Sequence, residues 1–166
     1  MARPPRDRVD EMVERWEGER EDLAFGAMGT IGRLGRLTAL GGRIIEEGMA
    51  THGLSIADFD VLAALRRSGS PYELTPTDLS RTLMLSPAGM TSRLDRLERA
   101  GLVDRRMAPG DRRSVLVRLN DAGFAKVDEA VTGHVAREEG LLAALTPQER
   151  DQLDGLLRTL LRSLEG

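Results

Sequence analysis

Residues 75–119, TPTDLSRTLMLSPAGMTSRLDRLERAGLVDRRMAPGDRRSVLVRL, constrain the fold more than any other part of the chain. Thr75 is placed to cap a first helix, Pro76 sits where a missing N–H costs nothing, and Asp78 completes a capping pattern. Ser86-Pro87 repeats that start a few residues later, so the two helices are joined tightly. Met90, Leu94 and Leu97 recur at helical spacing and define one apolar face of the second helix. The other face offers Ser86, Thr91, Ser92, Arg93 and Arg96. Ala100-Gly101 ends this helix, and two alternating runs, 102–107 and 114–119, follow around Pro109-Gly110-Asp111. The pattern predicts helix, turn, helix and then a basic two-stranded hairpin. That is a winged helix-turn-helix, a unit that most often reads DNA.

Charge supports this expectation. Residues 75–118 hold nine arginines (81, 93, 96, 99, 105, 106, 112, 113 and 118) against five acids (78, 95, 98, 104 and 111). The rest of the chain holds fifteen basic and twenty-two acidic residues. An acidic protein with one basic segment is not a general polyanion binder. It concentrates phosphate neutralisation on one surface, as docking on a duplex requires. All nine basic residues are Arg, whose planar fork suits phosphate and guanine edges better than Lys does.

A chain of 166 residues can bury a core without covalent staples, and we expect a single domain spanning 1–166. Cysteine is absent, which excludes a disulfide framework and a thiol-based redox sensor. No apolar run approaches membrane-spanning length and the first residues, MARPPRDRVDEM, lack a signal peptide's apolar stretch, so a cytoplasmic protein with no membrane partner is expected.

The remaining segments read as helices, giving a mainly α fold with a small β-wing. One helix is predicted from 9 to about 20, with Val9, Val13 and Trp16 on one side. Another runs from 24 to about 51 and holds Gly29, Gly32, Gly35, Gly41 and Gly42, each unfavourable by about 1 kcal/mol relative to Ala. Either close approach to another helix or ligand, or a bend or break, accounts for them. Ser55 opens a helix through 67, Asn120 one running to about 145, and Thr146-Pro147-Gln148-Glu149 the last. In that last helix Leu153, Leu156, Leu157, Leu160, Leu161 and Leu164 form an apolar stripe. Such a stripe needs a partner, either a helix of the same chain or the equivalent helix of a second protomer. The second option assigns 1–51 and 121–166 mainly to dimerisation and 55–120 to the DNA-binding lobe. A two-fold dimer then presents two recognition helices to a pseudo-palindromic site.

The segment DRRSVLVRLNDAG resembles the wing pattern D-x-R-x5-L-T-x-x-G of MarR-type transcriptional regulators, with Asp111, Arg113, Leu119 and Gly123 in register. Asn120 stands where that family usually has Thr; both can cap a helix. The order of elements is similar over nearly the whole chain. The resemblance implies a homodimer with interlocked terminal helices, and Arg113 entering the minor groove from the wing tip, oriented by Asp111. The ordinary alternative for that pair is a surface salt bridge. The expected DNA-binding set is Thr75, Thr77, Ser86, Ala88, Gly89, Thr91, Ser92, Arg93, Arg96, Arg112 and Arg113.

A finer resemblance is to the urate-responsive (PecS-like) subgroup, with an added N-terminal helix bearing a Trp. Trp16, Asp60, Arg93 and Arg105 look like its four effector residues, and GLSIADFDVLAALRRSGSPYELTPTDL is similar to it in wording. The implied effector is urate or another aromatic anion. It would lie between Trp16 and Arg93, disturb Asp60 by like-charge repulsion, and act on the recognition helix through Arg105. Each residue also has an ordinary role: Trp16 as an apolar anchor, Asp60 and Arg93 as an ion pair, Arg93 or Arg105 as DNA contacts.

Other chemistry is poorly supported. His52 and His134 are the only histidines and lack metal-ligand spacing, so no metal is expected. The glycines follow no strand as a phosphate loop would, and no Ser lies in a nucleophile elbow, so no catalytic residue, cofactor or enzyme activity is assigned. The expected function is a ligand-responsive DNA-binding transcriptional regulator, a repressor. Two alternatives stay open: a winged-helix protein-interaction module and a ligand-blind DNA-binding protein.

Overall fold

The computed structural model describes residues 5–108 and 111–166, and for 111–113 the backbone alone. In chain order these residues form α1 (Arg8–Glu19), α2 (Gly26–Ala50), α3 (Ile56–Arg67), β1 (Glu73–Leu74), α4 (Pro76–Thr82), α5 (Pro87–Arg99), β2 (Val103–Ala108), β3 (Asp111–Leu119), α6 (Asp121–Leu141) and α7 (Pro147–Glu165). The chain divides within α2 into two compact units, Met1–Ile44 and Ile45–Gly166.

In the first unit Asp7 caps α1, accepting from the backbone of Val9 and Asp10 at 2.8 and 3.1 Å. Arg33 of α2 grips Asp7 and Asp10, donating through Nε at 2.8 Å and Nη2 at 2.6 Å respectively. That guanidinium holds the Asp7 carboxyl below its ordinary range. The glycines of α2 do not break it. Two of them accept α1: a Cβ at Gly29 would lie 3.3 Å from Val13 Cγ2, and one at Gly32 3.3 Å from Val9 Cγ1. Close helix approach therefore explains Gly29 and Gly32. Gly35 and Gly42 have open space at the Cβ position, and the packing gives no reason for them.

The second unit is organised around α3. Ser55 caps it at Asp58 N, 3.1 Å away, and Phe59 and 61–65 are all buried. A helix buried nearly all round is the centre of a core, here joined by Met49, Leu79, Met90, Leu94, Leu97, Val103, Val117, Leu119, Val127 and Ala130. Truncating a fully buried leucine such as Leu62 or Leu94 to Ala costs about 2–5 kcal/mol in such packing.

Three short antiparallel strands, in the order β1-β3-β2, lie beside the helices. β1 escapes the sequence reading because two residues cannot display alternation. It pairs Glu73 with Arg118 and Leu74 with Val117. The hairpin strands extend closer to each other than expected: β2 runs to Ala108 and β3 starts at Asp111, with a register irregularity between Met107 and Ala108. α6 ends at Leu141, four residues before the sequence reading. The intervening residues close on themselves, with Leu145 N donating to Leu142 O at 3.0 Å, before Thr146 caps α7.

Two residues explain how α6 meets the sheet. A Cβ at Gly123 would fall 2.0 Å from the carbonyl oxygen of Leu102, so only glycine fits. Asn120 caps Gly123 N at 2.9 Å while its amide donates to Gly101 O at 3.0 Å. The cap thus also ties α6 to the turn that follows α5. No residue of α7 is buried, and Leu156, Leu160, Leu161 and Leu164 are all exposed.

Candidate nucleic-acid interface

Sequence dictates where α5 begins and which face it shows. Ser86 Oγ accepts from Gly89 N at 3.2 Å, Pro87 occupies the first turn, and Gly101 at φ 69 ends the helix with Leu102 N returning to Leu97 O at 3.0 Å. Met90, Leu94 and Leu97 are buried against the core. Ala88, Thr91 and Ser92 stand on the opposite, exposed side. Thr91 Oγ1 donates back to Pro87 O at 3.0 Å, which leaves its lone pairs outward. Gly89 has its own reason to be glycine: a Cβ there would lie 3.2 Å from Ser86 Oγ and crowd the cap.

The preceding helix is set the same way. Thr75 Oγ1 accepts from Asp78 N at 3.1 Å and donates to Asp78 Oδ2 at 2.7 Å. Thr75, Pro76 and Thr77 line a surface cleft of about 340 Å³ with Ser114 and Val115 of β3. The start of α4 and the base of the hairpin are therefore neighbours. A helix N-terminus flanked by hydroxyls is suited to an anionic group.

The arginines behave differently from the expectation of a free basic surface. Seven of the nine in residues 75–118 have described side chains, and five of those seven are ion-paired. Arg81 meets Asp78 at 3.4 Å, and Arg96 meets Asp58 at 2.5 Å. Arg105 of β2 holds Asp95 and Glu98 of α5 at 2.5 and 3.4 Å. Arg106 and Arg118 converge on Glu73, whose side chain is only 7% exposed. Four of these five pairs link α5 or the strands to neighbouring elements. Arg93 donates to Ala57 O at 3.4 Å and Arg99 to Asp95 O at 3.0 Å. The side chains of Asp111, Arg112 and Arg113, expected at the wing tip, lie outside the described residues.

The residues expected to bind an effector fall in different places. Trp16 belongs to the first unit, where it stacks on Phe25 at 6.0 Å and 22°. It remains 47% exposed, lining a surface cleft of about 410 Å³ with Arg8, Glu11, Met12, Arg15 and Glu19. Asp60 belongs to the second unit. It lines a cleft of about 320 Å³ between α3 and α6, walled by Phe59, Val127, Val131 and Val135 with Arg67 and His134 at its polar rim. Burial raises the Asp60 carboxyl above its ordinary value, opposed by the charges of Arg67, Arg93 and His134. Asp60 and Arg93 do not form the ion pair offered as their ordinary explanation. The close pair is Asp58–Arg96, two residues earlier and three later, because the first turn of α3 meets the last turn of α5. Arg105, as its pairs with Asp95 and Glu98 require, contacts the recognition helix.

Sequence reasoning missed Glu73 and Asp58. The only signal for either was local: Asp58 completes the Ser55 cap, and nothing in the sequence announced Arg96 as a partner 38 residues away. Among the described residues no group of acidic or histidine side chains could hold a metal ion, and no helix is long and apolar enough to cross a membrane.

Comparison with known proteins accords with this geometry. A sequence profile of the MarR family matches residues 52–114, which span α3 through the start of β3. The HTH-type transcriptional regulator PecS of Dickeya dadantii is 40% identical over 149 residues, covering 90% of this chain and 90% of that protein. The crystal structure of a MarR mutant from E. coli complexed with operator DNA has a TM-score of 0.72 at 28% identity. That match covers 84% of this chain and 99% of the other. AbsC from Streptomyces coelicolor, a MarR family transcriptional regulator, shares the fold with a TM-score of 0.78 at 23% identity, over 87% of this chain and 97% of its own.

Proposed function

This chain belongs to the MarR family, and on that premise we propose that it acts as a homodimeric repressor released from DNA by a small aromatic anion such as urate. Family membership makes it a DNA-binding transcriptional regulator and not an enzyme. The observation that carries the DNA-binding part of this reading is the two-sidedness of α5. One face is locked into the core by Met90, Leu94 and Leu97, and the other presents Ala88, Thr91 and Ser92 beside a capped N-terminus.

In this reading α5 enters the major groove, with Thr91, Ser92 and Ala88 facing base edges and Ser86 and Gly89 at the phosphates flanking them. The hydroxyls of Thr75 and Thr77 at the start of α4 clamp a phosphate. Arg112 and Arg113 act from the wing in the adjacent minor groove, with Asp111 orienting Arg113. The leucine stripe of α7, none of it buried within the chain, is covered by the same helix of a second protomer.

The effector reading rests on Trp16, Asp60, Arg93 and Arg105. An anion bound near Asp60 raises the cost of its half-buried carboxylate, and the adjustment passes to α5 through Arg93 and through Arg105, which grips Asp95 and Glu98. A ligand favouring a different spacing of the two recognition helices weakens DNA binding, and DNA weakens the ligand by the same factor. A gel-shift titration on a duplex this protein selects from a random pool, with and without urate, tests the proposal. Tight binding relieved by urate is expected. Binding indifferent to urate would leave a ligand-blind DNA-binding protein, and no selection of any duplex would favour a protein-interaction module.

A further inference from the structure

Asp58, near the start of α3, is a charged residue that is only 7% exposed. Its Oδ2 accepts from the hydroxyl of Ser55 at 2.8 Å. Its Oδ1 accepts from Nε and Nη2 of Arg96, on α5, at 3.0 and 2.5 Å. Asp58 needs Arg96, since a buried carboxylate without a counter-ion is strongly unfavourable, whereas the Arg96 side chain is half exposed. The neighbouring Arg93 adds a hydrogen bond to Ala57 O at 3.4 Å on the same side. From the hairpin, Arg105 holds Asp95 and Glu98. The recognition helix is thus tied to α3 through Arg96 and to β2 through Asp95 and Glu98, independently of its apolar face.

We propose that Asp58 is a positioning residue for DNA recognition, acting through Arg96, and that Arg96 fixes the angle of α5 and does not itself contact phosphate. This rests on the DNA-binding role of α5. The geometry supports it in two ways. Nε and Nη2 of Arg96 both donate to one oxygen of Asp58, which orients the guanidinium toward α3. Nη1 makes no hydrogen bond among the described residues and the side chain is half exposed, so a salt series is what separates positioning from phosphate contact. Asp58 in turn is anchored at the start of its own helix by Ser55, so the pair couples the position of α5 to that of the core.

The substitutions Asp58→Asn, Arg96→Lys and Arg96→Gln separate positioning from contact. Affinity of the full chain for its selected duplex is measured across a salt series. For a positioning pair, all three lose affinity by about ten-fold, the slope against salt is unchanged, and Asp58→Asn/Arg96→Gln is no worse than the weaker single variant. If Arg96 contacts phosphate, Arg96→Lys keeps most of the affinity, Arg96→Gln lowers the slope by about one, and Asp58→Asn tightens binding by freeing the guanidinium. Either of the last two results overturns the proposal. A DNA-free readout stands beside these: Arg96→Lys should speed amide exchange along 90–97 while 61–65 stay protected. Unchanged exchange along α5 would overturn the clamp whatever the DNA result.

Discussion

Glu73 on β1 reaches across the central strand β3 and accepts two hydrogen bonds from Arg106 on β2, from Nε at 2.9 Å and Nη2 at 2.6 Å. The carboxylate is 7% exposed and also faces Arg118, its cross-strand neighbour. One buried acid therefore staples all three strands and sets the base from which the hairpin projects. Charge-assisted bonds of this kind are stronger than neutral ones. Glu73→Gln should lower Tm by about 2–4 °C and weaken DNA binding through a looser wing. Thermal melting with a salt-series titration checks this, and an unchanged Tm would show that the strands hold without the staple.

Arg113 is the wing residue on which the family resemblance places minor-groove contact. Arg113→Ala is expected to cost about 1–3 kcal/mol of DNA binding and to reduce the salt slope by about one. Equal affinity and slope would move the contact to another residue, with Arg112→Ala the next variant to measure.

Local chemistry was legible in the sequence. Ser55, Thr75, Ser86, Asn120 and Thr146 were each read as helix caps, and each accepts from a backbone amide three residues on. Those signals are contained within four residues and survive folding unchanged. What could not be read was partner choice over distance. Asp60 and Arg93 looked like a pair, yet Asp58 and Arg96 form it, because helix phase and crossing decide which side chains meet. Gly123 was read as a matching letter of a wing pattern. Its physical cause, the carbonyl of Leu102 lying where a Cβ would go, exists only in three dimensions.

Asp60 gives a pH dependence with a definite sign. Burial raises its carboxyl above the ordinary value, so the folded protein holds that proton more tightly than the unfolded chain does. Stability from this group is fully present below the ordinary carboxylate range and is lost as pH rises through the raised value. Asp60→Asn should therefore melt higher than the native sequence near neutrality, with the gap closing as pH falls. Melting curves from about pH 8 down to about pH 4 test this. An Asp60→Asn variant that melts lower than the native sequence near neutrality would mean that the surrounding Arg67, Arg93 and His134 outweigh burial.

Trp16→Phe separates effector response from fold. A phenyl ring can still stack on Phe25, so the packing of α1 is expected to persist. The indole N–H and the wider ring face are lost. DNA affinity should stay within about two-fold of the native value, since Trp16 lies outside the DNA-binding unit, while release by urate disappears. Retained release would remove Trp16 from the effector site and leave Asp60, Arg93 and Arg105 to be tested alone.

The leucine stripe of α7 provides the test of assembly. Leu156 is 66% exposed and Leu160 47%, one helical turn apart on a helix that buries nothing within the chain. Exposed contiguous leucines on a well-capped helix require a cover, and two-fold pairing of the same helix supplies one without any further partner. Replacing both by Asp sets four carboxylates across the two-fold interface and should yield a monomer by light scattering, with the far-UV helix signal of α3 to α6 retained. If each protomer reads one half-site, as proposed, affinity for a two-half-site duplex should fall by at least about a hundred-fold, while a single half-site is bound as weakly as before. A dimer that survives both substitutions would place the interface on another helix.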